Sequence, residues 1–214
     1  MRFSIRRPKL VIWTVVVLTL LFGSLLPRAK TDTDPKHMLP ATSPVRVNND
    51  KVEERFELHA DWIVLGIVNE SGVLNHNTLS KISRITDEVA RIPGVIGYDV
   101  VSFTTADNVS AKGLDLYARP LMSSAPTANA EISALRNALY ENPMFVDRLI
   151  SKDGQATAIY IPIEKTANGK VIADQVRALF EKETKDENGD HFYMAGDPVA
   201  RDTFGAQMFK QMAV

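Results

Sequence analysis

The sequence predicts an α+β protein: one N-terminal transmembrane helix, then a single extracytoplasmic domain of alternating strands and helices. Three observations predict it. Leu10 to Leu26 runs for 17 residues without a charge. Arg2, Arg6, Arg7 and Lys9 precede that run and outnumber Arg28 and Lys30 after it. Beyond it, apolar residues recur at strand and helix spacing in turn, separated by Gly, Pro and Asn.

At about 1.5 Å per residue the charge-free run sits at the short end of what spans a bilayer. Lys9 and Arg28 would extend it by reaching to the headgroups on long aliphatic stems, and Trp13 would sit at the cytoplasmic interface. The excess of basic residues on the N-terminal side keeps that end in the cytoplasm. A removed signal peptide is the alternative, but Ser24-Leu25-Leu26-Pro27-Arg28 offers no small-x-small cleavage pair. Gly23-Ser24 would be a close-packing spot for another helix.

The chain has 214 residues, a net charge of −1 and 45% hydrophobic residues, enough for one ordinary domain after the anchor. No basic stripe lies beyond the anchor flank, which argues against nucleic acid. The absence of cysteine excludes disulfides, thiolate zinc and a thiol nucleophile, and mildly favours a bacterial envelope over an animal secreted module.

Residues 27–49, with Pro27, Pro35, Pro40 and Pro44, read as a linker. Phe56 to Val68 reads as a strand whose apolar run Trp62–Val68 suits burial on both faces. Leu79, Ile82, Ile85, Val89 and Ile92 mark a helix capped by Asn77 and stopped by Pro93-Gly94. Val95 to Phe103 reads as a second strand. The stretch from Thr104 to Asn129 is less regular, with a short strand around Leu114, Leu116 and Tyr117. Ala130 to Tyr140 reads as a helix with Ile132, Leu135 and Leu139 inward. Phe145–Ile150 and Ala156–Ile163 flank Ser151-Lys152-Asp153-Gly154-Gln155, where Asp-Gly predicts a hairpin through a type I′ turn. Gly169 to Lys185 reads as a third helix with Ile172, Val176, Leu179 and Phe180 inward, and His191 to Ala195 as a last strand. Gly196-Asp197-Pro198 reads as turn, N-cap and first helical residue of a helix carrying Phe204, Met208, Phe209 and Met212. That helix runs to Val214 without a cap, which reads as truncation of a longer protein. The order is that of a split βαβ, ferredoxin-like domain with an inserted helix.

No group assembles a catalytic or metal constellation. His37 falls in the linker, His59 and Asp61 alternate on one strand, His76 sits in a turn, and His191 follows Asp190. Asp153 is explained by its turn and Asp197 by capping. Glu181 to Asp190 reads as a solvated helix end that needs no partner. Trp62, Phe103, Tyr117, Met122, Met144 and Phe145 are candidates to line a channel, with core packing the simpler role for most of them. Catalytic and metal residues are therefore expected to be none, and substrate-binding residues are left unassigned.

The order of several short motifs resembles the start of an RND-superfamily exporter of the MMPL-like, hydrophobe/amphiphile efflux-3 branch, which includes hopanoid exporters. The motifs, after the basic N-terminus and the charge-free run, are Met38-Leu39-Pro40, Asn48-Asn49-Asp50, Trp62-Ile63-Val64, Thr78-Leu79 opening a helix that closes with Ile92-Pro93-Gly94-Val95, Val101-Ser102-Phe103, Asn142-Pro143, Leu149-Ile150-Ser151-Lys152-Asp153-Gly154 and Ala195-Gly196-Asp197-Pro198-Val199. The resemblance implies a cytoplasmic basic tail (1–9), a transmembrane helix (10–26), a linker (27–49) and a periplasmic porter domain (50–199). Residues 200–214 would start a helix leading toward a second transmembrane segment. It implies export of lipids or amphiphilic compounds driven by the proton gradient, with no bound cofactor and no enzymatic activity. The implied location is the bacterial inner membrane. The implied partners are the bilayer, further transmembrane helices and a second porter domain of the same chain, a lipid-like substrate, and further copies in a homo-oligomer. The alternative is a single-pass anchored periplasmic adaptor.

Overall fold

Apolar residues on alternate positions of Asp61–Asn69 form β1, the strand on which the domain is organised. The computed structural model describes residues 7–25, 38–56, 61–112, 115–184 and 188–212. Among them are six α-helices and five strands, an α+β fold in two units, Met1–Met38 and Leu39–Val214.

In the first unit, α1 spans Pro8–Leu25, 18 residues opened by proline at a position that needs no amide donor. The predicted transmembrane helix is not upheld: among the described residues no helix is long and apolar enough to cross a membrane. The physical reason is length. From Leu10 to Leu25 the described part of the helix rises about 24 Å at about 1.5 Å per residue, short of a hydrocarbon core of about 30 Å. Ser24 Oγ donates to Leu21 O of its own helix, and nothing lies within 4 Å of a Cβ built on Gly23.

In the second unit, α2 (Pro44–Arg55) occupies the end of the predicted linker. None of its residues is buried. Without an apolar stripe there was no periodicity to reveal it, although Pro44 at its start and the helix-favouring run Lys51–Arg55 are ordinary helix signals.

The sheet is antiparallel and three-stranded, in the order β4-β1-β5, where β4 is Ala156–Ile163 and β5 is Asp190–Ala195. Asp61 pairs with Ile163 and Val68 with Ala156; Val64 pairs with Ala195 and Asn69 with Asp190. Ile63, Leu65 and Ile67 are fully buried, whereas Trp62, Val64, Gly66 and Val68 are half-buried. The apolar run of β1 therefore does not mean cover on both faces.

Helix α3 (His76–Val89) starts one residue after Asn75, whose side chain accepts from Thr78 N at 2.9 Å. Asn75, not Asn77, is the cap, and Ile92 lies beyond the helix end. The expected strand Val95–Phe103 is instead a 3-10 turn, Gly97–Asp99, held to β4 by two isolated bridges, Val95 to Ile163 and Val101 to Tyr160. Six steps along this segment meet three along β4, so the surplus residues bulge out and a fourth strand cannot form.

β2 (Asp107–Lys112) and β3 (Asp115–Pro120) make a separate two-stranded sheet where one short strand was expected. The inserted helix α4 (Asn129–Glu141) buries Ile132, Leu135 and Leu139 as expected. Phe145–Ile150 is a series of turns with Asp147 at φ 63°, and only Ile150 bridges β4, at Thr157. At Asp153-Gly154 only the glycine has positive φ, 72°. The turn is thus not type I′: Asp153 accepts from the Ser151 hydroxyl and from Gln155 N, and that local bonding sets the chain reversal.

Helix α5 (Gly169–Glu183) is capped by Asn168, which accepts from Lys170 N and Val171 N. With α3 it covers the buried face of the sheet; Phe180 of α5 stacks on Phe192 of β5 with centroids 5.9 Å apart. Asp197 does not act as the cap of α6 (Asp197–Met212). It lies inside the first turn, and the Gly196 carbonyl accepts the first helical bond, from Ala200 N. Phe204 is exposed, and the side chains of Met208, Phe209 and Met212 lie outside the described set.

Gly196 has φ 124°, and a Cβ there would sit 2.0 Å from the Trp62 carbonyl oxygen. Backbone crosses backbone at this point, so no side chain can yield. Gly196→Ala is expected to cost more than about 2 kcal/mol in urea unfolding, from strain and overlap together; an unchanged midpoint would contradict the crossing.

Candidate functional site

Helix α3 carries Thr78, Lys81, Ile82, Ile85 and Val89 on its buried side, which places a lysine within an otherwise apolar stripe. The Lys81 side chain is 1% exposed and its Nζ donates to Asp190 Oδ2 at 2.9 Å; the Asp190 side chain is 0% exposed. The other carboxylate oxygen accepts from Asn69 Nδ2 and from Thr78 Oγ1, both at 2.7 Å. Asn69 also donates to Asn188 O and accepts from Ser71 N. Asn75 Nδ2 donates to Thr78 Oγ1 and to Gly72 O. One carboxylate at the start of β5 thus gathers donors from the end of β1 and the first turns of α3.

Burial pushes the Asp190 carboxyl up, but hydrogen bonds from Asn69, Lys81 and Thr78 and the lysine's charge outweigh it. Its pKa lies below the ordinary carboxylate value. The cluster is closed to solvent, so it has no path to a substrate and acts as a fastener rather than as acid or base. A second charged contact holds the other end of the β1–β5 pair: Arg201 Nη2 of α6 donates to Asp61 Oδ1 at 2.7 Å and to Asp197 at 3.3 Å.

Between these two fasteners the register is fixed. Val64 lies opposite Tyr160 and Ala195, Gly66 opposite Ala158 and Tyr193, and Val68 opposite Ala156 and His191. These residues share the face turned away from α3 and α5. His191, Tyr193 and Ala195 are exposed, and the β1 members are half-buried. The Trp62 ring meets Tyr160 edge-on, with centroids 6.5 Å apart. On this face Val64, Gly66 and Ala158 stand among the rings of Trp62, Tyr160 and Tyr193.

The channel candidates do not come together. Phe103, Met122 and Phe145 are buried in the core, Tyr117 and Met144 are exposed, and of the six only Trp62 belongs to the open face. His37 and His59 lie outside the described residues. Asp61 is bonded to Arg201, His76 lies against Pro126 and Asn129, and His191 is exposed on β5. Among the described residues no group of three His, Cys, Asp or Glu could hold a metal ion. The fastener was missed because residues 181–190 read as one solvated segment; Asp190 is 4% exposed and fully partnered. Lys81 standing within an apolar helical stripe was the available signal.

No protein-family model matches the chain, and no curated protein matches it.

Asp190→Ala strands a buried ammonium and is expected to cost about 3–5 kcal/mol in urea unfolding. The acid limb follows from the lowered pKa. The contribution of Asp190 is fully present above its unfolded-state pKa of about 3.9 and is lost as pH falls through the lower folded-state value. Asp190→Asn should flatten that limb; an acid limb identical to the wild type would remove Asp190 from the account.

Proposed function

We propose that the chain supplies a substrate-handling porter domain of a proton-driven exporter of lipids or other amphiphilic compounds, of the RND-superfamily MMPL-like kind. In this reading the domain faces the periplasm of a bacterial envelope. The observation that supports it is the open sheet face formed by Val64, Gly66, Tyr160 and Tyr193 beside Trp62. Apolar and aromatic side chains left partly exposed on one sheet face suit a contact site. An acyl chain can lie along the Gly66–Ala158 floor, with the aromatic rings flanking it. Transport breaks no covalent bond, so the reading asks for no nucleophile or metal. The order of motifs from Met38-Leu39-Pro40 to Asp197-Pro198-Val199 supports the same family reading.

The sequence contains two tryptophans, so Trp13→Phe leaves Trp62 as the only indole reporter. Titration with a short-chain phosphatidylcholine below its micelle concentration should shift Trp62 emission to the blue and saturate. Tyr193→Ser, at an exposed position, should weaken that binding roughly three- to tenfold with the circular dichroism unchanged. Emission that does not respond to the lipid would contradict the reading and leave the face to a protein partner.

A further inference from the structure

His76 opens α3 and reaches across to the segment that starts the inserted helix α4. Its Nδ1 lies 2.8 Å from the carbonyl oxygen of Pro126, and its Nε2 lies 3.1 Å from Asn129 Oδ1. A backbone carbonyl can only accept, so Nδ1 carries a proton in this contact. An amide oxygen can also only accept, so the second contact needs a proton on Nε2 as well. Both bonds form together only with the imidazolium.

We propose that His76 is a pH-responsive fastener between α3 and α4, closed on both nitrogens in acid and held by one when neutral. The charge that faces it from α4 is Glu131. Backbone hydrogen bonds from Thr127 and Ala128 hold that carboxyl below its ordinary value. Glu131 is therefore ionised throughout the range in which a histidine changes charge, and it attracts the imidazolium. The connecting residues Pro126, Thr127 and Ala128 are uncharged, as are Asn75 and Asn77 beside the imidazole. The next charge along α3 is Lys81, bonded to Asp190. The consequence falls on α4, the element inserted between the two halves of the fold: its first turn is held more tightly in acid. The inference stands independently of the exporter reading.

The test is hydrogen exchange of the amides of 129–135 in the full chain, with protection corrected for intrinsic rates, at about pH 5.5 and about pH 8. Protection in the wild type should fall roughly three- to tenfold on going to the higher pH, the scale of one hydrogen bond to a charged group. The fall should vanish in His76→Gln, and also in Asn129→Ala, which removes the second acceptor at an exposed position. Protection that is flat with pH in the wild type overturns the proposal; it is the result for an Asn129 amide turned to donate to a neutral ring. So does an equal fall in both variants.

Discussion

One buried carboxylate sets how β5 and α3 meet β1. Asp190 is taken out of water at the first residue of β5, and it remains charged only because Asn69, Thr78 and Lys81 arrive from two other elements to bond it. A buried ion pair of this kind contributes little net stability compared with apolar packing. Removing one partner, however, leaves a charge with nowhere to go. The pair therefore acts through specificity: it accepts one register of β5 on β1 and one placement of α3. A slip of one residue would turn the side chains of β5 to the opposite face and carry Asp190 away from Lys81.

That register decides what the outer face looks like. Tyr193 stands opposite Gly66 because Asp190 stands opposite Asn69, three pairs along the same ladder. At the far end, Gly196 passes over the Trp62 carbonyl, and Arg201 ties α6 to Asp61. A pair of strands fastened at both ends holds Val64, Gly66 and Tyr193 in a fixed order on its outer face. The amphiphile-export reading rests on that surface.

Much of the fold was legible because periodicity reports burial. Leu79, Ile82, Ile85 and Val89 on α3, and Ile172 and Val176 on α5, are buried as their spacing indicates. What was not legible has physical causes. α2 buries nothing, so it leaves no stripe to read. The segment Val95–Phe103 has strand composition, yet two bridges of unequal spacing prevent a ladder, and only pairing partners can reveal that. The run Leu10–Leu26 has the composition of a span, but among the described residues no helix is long and apolar enough to be one. The Lys81–Asp190 contact joins residues 109 apart, a distance over which a charge in a polar segment gives no hint of its partner.

The central claim is that the buried charge cluster holds β5 in register on β1. Native-state hydrogen exchange of the β5 amides in Lys81→Met tests it most directly. The account predicts that residues 190–195 lose protection while the β1–β4 ladder keeps its own. Equal loss of protection across the β1–β4 ladder and β5 would mean that the cluster contributes only global stability, and would contradict the claim.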